Sequence, residues 1–179
     1  MVYVMLGTGF EEIEALAPVD LLRRAGVDVT TVGISGKVVY GSHKIGVEAD
    51  ITIDEMDLTN LEMIVLPGGL GGVASIRGSQ KALDVVRFAN ANGCFVAAIC
   101  AGPTVLADLG ITDGKHATCY PGQAGNMGGA VLMEKAAVRD GKIITGASAG
   151  CAVEFALALI DALKGEEMAQ KIREQIVIR

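Results

Sequence analysis

Three short runs that are apolar from end to end, Val2–Leu6, Met63–Leu66 and Phe95–Ile99, constrain this chain more than anything else in it. A strand with no polar side must be covered on both faces, as in a parallel sheet sandwiched between helices. The intervening segments supply such helices. Phe10, Ile13, Ala17 and Leu21 recur at helical spacing up to about Arg24, with Pro18 expected to kink that helix and Gly26 to cap it. Gln80–Ala91, Pro103–Leu109, Ala152–Leu163 and an amphipathic tail over Glu166–Ile176 also read as helices, with Pro103 at the favoured first position. Val27–Val32, Val131–Val138 and Ile143–Thr145 read as further strands, the last two divided by a turn over Arg139–Lys142. Gly33–Asp50 reads as a hairpin excursion built on Val38-Val39-Tyr40 and Ile45-Gly46-Val47. Without repeat, linker or low-complexity tract, the 179 residues predict one α/β domain over 1–179, with a mostly parallel sheet and helices on both faces.

Composition narrows the function. Hydrophobic residues make up 51% of the chain but aromatics only 4%, without Trp, so the predicted core is aliphatic. A net charge of -6 argues against nucleic acid, whose phosphates require a Lys/Arg-rich face. No run of about 18 apolar residues occurs, so no membrane span is expected. The opening Met1–Leu6 lacks the basic start and small-residue cleavage site of a signal peptide, which predicts a cytoplasmic protein. The four cysteines, Cys94, Cys100, Cys119 and Cys151, form no CxxC pair or zinc spacing, so no metal is expected, and each would ordinarily be a small buried hydrophobe.

Cys100 departs from that default. Ala98-Ile99-Cys100-Ala101-Gly102 has small residues two positions either side of a candidate nucleophile, the layout of a nucleophile elbow between strand and helix. At a helix start, free N–H groups favour the thiolate, and the Ala101 N–H would face charge developing on a substrate oxygen. Glu14 is the second anomaly. Glu11 and Glu12 read as acids complementing a helix N-terminus, but Glu14 falls on the apolar stripe between Phe10 and Ala17. Desolvation and a nearby thiolate would both raise its pKa, fitting it to hold and move a proton near neutral pH. Of the two histidines, His43 in the hairpin is placed to overhang the site, whereas His116 reads as structural. In an open α/β sheet the site lies beyond the C-terminal strand ends, marked here by Gly7-Thr8-Gly9, Pro67-Gly68-Gly69 and Cys100-Ala101-Gly102.

Over its whole length the chain resembles the ThiJ/PfpI superfamily, in its DJ-one (parkinsonism-associated deglycase) branch. The resemblance rests on Gly9-Phe10-Glu11-Glu12-Ile13-Glu14, Pro18–Gly26, Val65-Leu66-Pro67-Gly68-Gly69, Ala97–Thr104 and Glu154-Phe155-Ala156-Leu157. It implies a flavodoxin-like sandwich, usually homodimeric, with Cys100 as a readily oxidised nucleophile, a protonated Glu14 against it, and an oxyanion site at the N–H groups of Gly69 and Ala101. It further implies cofactor-free glyoxalase or deglycase chemistry on small 2-oxoaldehydes or glycated groups, with chaperone and oxidative-stress roles. Four positions depart from the pattern. Ala101 stands where the protease branch has His, which argues against proteolysis. Tyr120 replaces a His before Pro121, His43 an Arg of the hairpin, and Ser148-Ala149-Gly150 a Gly-Pro-Gly segment. His43, Tyr120 and Gly68 are therefore the expected site wall.

Two functions use the same residues: turnover of a 2-oxoaldehyde through a Cys100 hemithioacetal, or a redox sensor in which Cys100 is oxidised to the sulfinate beside Glu14. Other classes lack their parts. A glutamine amidotransferase needs a late His-x-Glu, and no His follows His116. Gly7-Thr8-Gly9 is not completed as a dinucleotide fingerprint, and Gly68–Gly72 lacks the Lys-Ser/Thr of a phosphate loop.

Overall fold

Along each central strand the side chains alternate between two apolar clusters, in a computed structural model that describes residues 1–178. Val2, Val4 and Leu6 enter one cluster and Tyr3 and Met5 the other; Phe95, Ala97 and Ile99 part from Val96 and Ala98 in the same way. This is the period-two alternation of a strand covered on both faces.

The elements in order are β1 (Val2–Leu6), α1 (Glu12–Arg24), β2 (Val29–Gly33), β3 (Val38–Tyr40), β4 (Gly46–Glu48), β5 (Ile51–Thr52) and β6 (Met63–Leu66). There follow α2 (Leu70–Gly78), α3 (Gln80–Ala91), β7 (Phe95–Ile99), α4 (Pro103–Asp108), β8 (His116–Ala117) and β9 (Val131–Leu132). The chain closes with β10 (Ala137–Asp140), β11 (Ile143–Gly146), α5 (Ala152–Lys164) and α6 (Glu166–Gln175). Seven strands form one sheet in the order β10-β11-β7-β6-β1-β2-β5, parallel except where β10 meets β11. Residues of α1, α5 and α6 pack on one face, and residues of α2, α3 and α4 on the other. The fold is the mostly parallel α/β sandwich expected from the apolar runs. Among the described residues, no helix is long and apolar enough to cross a membrane.

Several local expectations change. The helix over Leu70–Gly78 was not expected, because Gly71, Gly72 and Gly78 lower its propensity. Close packing explains two of these glycines: a Cβ on Gly72 would stand 2.7 Å from Phe10 Cα, and one on Gly71 3.1 Å from Gly9 Cα. The buried stripe of α1 is rotated from the predicted one. Ile13 is 56% exposed, while Glu14, Ala15, Pro18, Val19, Leu21 and Leu22 face inward. α1 runs through Pro18 as a single helix from Glu12 to Arg24. Val131–Val138 is not one strand: it splits into β9, paired with β8, and β10, paired with β11. Arg139 and Asp140 belong to β10, so the turn is confined to Gly141 and Lys142. Of the four cysteines only Cys119 is buried; Cys94, Cys100 and Cys151 are partly exposed.

β1 lies between β2 and β6, so successive connections leave it in opposite directions. A crevice beyond the C-terminal strand ends follows from that reversal. The starts of α1 and α2 and the end of β7 meet there.

Candidate active site

Cys100 sits directly after β7 with φ at 65°, a left-handed conformation that costs a non-glycine residue about 1–3 kcal/mol. The surrounding backbone imposes it. Cys100 N–H donates to the Gly146 carbonyl (2.9 Å), and the Cys100 carbonyl accepts from Tyr120 N–H (2.8 Å). Gly102 is required by the same turn, since a Cβ there would lie 2.6 Å from the Leu66 carbonyl oxygen. The sharp strand-to-helix turn anticipated from Ala98–Gly102 is thus present, and it leaves the thiol half-buried.

Glu14, in the first turn of α1, is fully buried. Its Oε2 accepts from Gly68 N–H (2.9 Å), and its Oε1 has no hydrogen-bond partner. Burial raises the Glu14 pKa; the hydrogen bond to Cys100 lowers it, the Glu11 charge raises it, and the Gly68 N–H lowers it, leaving it at about 7. Burial also raises the Cys100 thiol, and the charge and hydrogen bond of an ionised Glu14 push it further, to about 12, against the N–H groups of Ala101 and Gly69. The two shifts describe one proton seen from opposite ends. A protonated Glu14 carries no charge and can donate to sulfur, which leaves burial alone opposing a thiolate with two N–H donors. The direction that geometry supports is a carboxyl raised into the neutral range beside the Cys100 thiol.

Gly68 lies between the two groups. A Cβ there would come 2.4 Å from Glu14 Oε2 and 2.7 Å from Cys100 Cβ, so any side chain would push the pair apart. Gly69 has φ at 84°, and a Cβ on it would stand 2.5 Å from the Gly9 carbonyl oxygen. The strand-end glycines allow three segments to converge on one sulfur.

The other expected wall residues are placed differently. His43 lies against the start of α1: its Nδ1 and backbone N–H donate to Glu12 Oε2 (2.8 Å) and Oε1 (2.7 Å). Glu12 is therefore not a simple partner of the helix terminus but a buried carboxylate that anchors the Gly41–Ile45 loop, with Ser42 Oγ donating as well (3.1 Å). Burial alone would raise Glu12, yet the hydrogen bonds from His43, its own backbone and Ser42 outweigh it and hold the carboxyl at about 2. No local signal marks this role, because Glu12 and His43 are 31 residues apart. Glu11 instead caps α1, its Oε2 accepting from Glu14 N–H (2.9 Å). Tyr120 touches Cys100 through its backbone, and the residue as a whole is half-exposed. A groove of about 590 Å³ lies alongside, lined by Cys119, Pro121, Leu132, Met133, Ala147 and Cys151 among others; Cys100 is not in its lining. His116 is on the surface, bonded to Asp140. Glu11, Glu12 and His43 bring three potential ligand atoms within 4.8 Å of one another. The Glu12 carboxylate and the His43 Nδ1 are already engaged with each other there.

A parallel α/β sandwich with a cysteine on a strand-to-helix elbow and a buried, protonatable glutamate beside it defines the class of protein. The sequence model of the DJ-1/PfpI family matches residues 1–162, and the chain belongs to that family. Protein dj-1beta of Drosophila melanogaster is 35% identical over 178 residues, covering 98% of this chain and 95% of its own length. The crystal structure of Drosophila DJ-1beta superposes with a TM-score of 0.94, covering 99% of this chain and 97% of that one. Toxoplasma gondii DJ-1, solved in an oxidised form, superposes equally well (TM-score 0.94, 33% identity, 98% and 97% covered). Deglycase PfpI of Pyrococcus furiosus is 30% identical over 138 residues, 76% of this chain and 82% of its own.

Proposed function

We propose that this protein is a cofactor-independent enzyme in which the Cys100 thiolate attacks small 2-oxoaldehydes such as methylglyoxal, as a glyoxalase or, on glycated groups, a deglycase. The observation that carries the reading is the fully buried Glu14 carboxyl, with one oxygen unpartnered beside the Cys100 side chain and its pKa raised by burial to about 7. A structural glutamate gains nothing from such burial, whereas an acid–base group needs a pKa near its working pH. The relationship to Deglycase PfpI supports the same class of chemistry.

The reaction begins with the thiolate and a protonated Glu14. Sulfur bonds to the aldehyde carbon, the aldehyde oxygen takes up the negative charge against the Gly69 and Ala101 N–H groups, and Glu14 protonates it to give a hemithioacetal. The Glu14 carboxylate then removes the hydrogen on that carbon, the electrons form the carbon–carbon double bond of an enediol, and the hydroxyl proton of that carbon passes to the former ketone oxygen. Return of the proton to the neighbouring carbon gives a 2-hydroxyacyl thioester. Water cleaves the C–S bond, releasing the hydroxy acid and restoring the thiol–carboxyl pair. Methylglyoxal and water become lactate, with no external oxidant or reductant.

A second reading has its own observation: the partly exposed thiol beside two N–H donors would also hold a sulfinate, which makes Cys100 a stoichiometric redox sensor with a protective or chaperone role. Assay of the purified protein with methylglyoxal separates the two. Turnover to lactate, abolished in Cys100→Ser and reduced about 10²–10⁴-fold in Glu14→Gln, is expected of the enzyme. Wild type as inactive as Cys100→Ser would leave the sensor.

We also propose a homodimer. Ile13 (56% exposed) and Leu16 (37% exposed) share the outer face of α1, an apolar face suited to a second copy of the chain. Sedimentation should give about twice the 18.4 kDa chain mass; a single-chain mass at micromolar concentration contradicts the dimer.

A further inference from the structure

The groove of about 590 Å³ that flanks Tyr120 takes no part in the proposed chemistry. Its size falls in the range of roughly 300–1,000 Å³ that holds a drug-sized ligand, far more than methylglyoxal would fill. Three segments wall it: Cys119 and Pro121 after β8, Leu132 and Met133 at the end of β9, and Ala147 and Cys151 between β11 and α5. Backbone bonds hold these walls in place, Met133 N–H donating to the Ala117 carbonyl (2.8 Å) and Ala147 N–H to the Ala136 carbonyl (3.0 Å). The charged residues of the lining, Glu134 and Lys135, are neighbours of opposite sign and both exposed, while the rest of the lining is mostly apolar. Such a groove favours an alkyl or aryl body over a charged one.

Two thiols line the groove, and their sulfurs differ. Cys119 is buried, its Sγ donates to the Tyr120 carbonyl (3.3 Å), and burial pushes its thiol pKa up. It is held as an enclosed, protonated thiol. Cys151 is partly exposed, and its Sγ accepts from Ser148 Oγ (3.8 Å). The turn fixes that sulfur, since Cys151 N–H also donates to the Ser148 carbonyl (2.8 Å). An apolar groove concentrates apolar electrophiles, and access decides which of its sulfurs they meet.

We propose that the groove is a second, covalent binding site, in which Cys151 takes up α,β-unsaturated aldehydes that carry an alkyl chain. The chain lies along Leu132, Met133 and Ala147, and the conjugated carbon meets Cys151 Sγ. Sulfur bonds to the β carbon, the electrons of the carbon–carbon double bond shift toward the carbonyl oxygen to make an enolate, and the thiol proton passes to solvent. A solvent proton then adds at the α carbon. The product is a thioether that keeps its aldehyde, and nothing is oxidised or reduced. The site uses neither Cys100 nor Glu14, so it stands whether or not the protein turns over methylglyoxal.

The test exposes the full chain to crotonaldehyde or trans-2-nonenal, which share one reactive group and differ in chain length. Mass spectrometry of the digest follows each cysteine-containing peptide in wild type, Leu132→Gln and Cys100→Ser, each rate being divided by that of N-acetylcysteine. In wild type and Cys100→Ser, Cys151 should react about ten-fold faster with trans-2-nonenal, the gain expected from burying about two of its additional methylenes. Leu132 is exposed, so Leu132→Gln should keep the crotonaldehyde rate and lose most of the preference for the longer chain. Equal rates for the two aldehydes at Cys151 overturn the proposal, as does a preference that Leu132→Gln leaves intact. Loss of the Cys151 adduct in Cys100→Ser also overturns it, because the adduct would then arrive by way of Cys100. So does modification of Cys119 as fast as Cys151, which would contradict the difference between the two sulfurs.

Discussion

Glu12 and Glu14 lie two residues apart in the first turn of one helix, both buried, and hold their protons in opposite ways. Glu12 is kept at about 2 and Glu14 is raised to about 7. Burial raises both; donors decide the difference. Glu12 receives hydrogen bonds from the His43 ring, the His43 backbone and Ser42. Glu14 receives a single backbone N–H and keeps one oxygen without a partner. A buried carboxyl that is fully solvated by donors becomes a fixed anion and a loop anchor. One that is incompletely solvated keeps its proton up to about pH 7, and Cys100 lies beside that one.

Stability against pH should sharpen this contrast most strongly at Glu14. Its folded pKa lies above the unfolded value, so between the two the native state binds more protons and stability falls as pH rises from 4.5 through about 7. Glu14→Gln removes that cost while retaining an acceptor for Gly68 N–H. We expect it to be more stable than wild type by about 2 kcal/mol above about pH 8, less than the full shift, and close to wild type below about pH 4. Glu12→Gln should behave in the opposite sense and more weakly. A lowered pKa contributes stability above 4.5 that is lost as pH falls toward 2. The exposed His43 side screens the pair, so the variant should lose about 1 kcal/mol at neutral pH and nothing at the acid end. Urea denaturation at matched pH values measures both. Curves that shift in the same direction would break the comparison.

The parts of the fold set by short-range patterning were readable from residues. β1, β6 and β7 are apolar throughout because both faces are covered, and Ala98–Gly102 announces the elbow because a sharp turn tolerates only small neighbours. What stayed hidden depends on contacts far apart in the chain. α2 is glycine-rich because Phe10 and Gly9 press against it, a demand that overrides helix propensity. The facing of α1 is one residue off the apparent stripe, since Ile13 is turned outward and Glu14 inward. That rotation strengthens the role expected for Glu14 and removes the one expected for Ile13 in the core. His43 pairs with Glu12, which the sequence presents only as one more acid at a helix start.

Glu14 should hold a proton near neutral pH while Glu12 does not. NMR of the side-chain carboxyl carbons, with isotope-labelled glutamate and assignment through Glu14→Gln and Glu12→Gln, reads both groups in one titration. We predict that the Glu14 resonance moves between neutral and charged positions near pH 7, and that Glu12 stays charged down to the acid limit of the folded protein. A Glu14 resonance that titrates near 4.5, like an ordinary surface glutamate, would contradict the raised carboxyl and with it the chemistry assigned to Cys100.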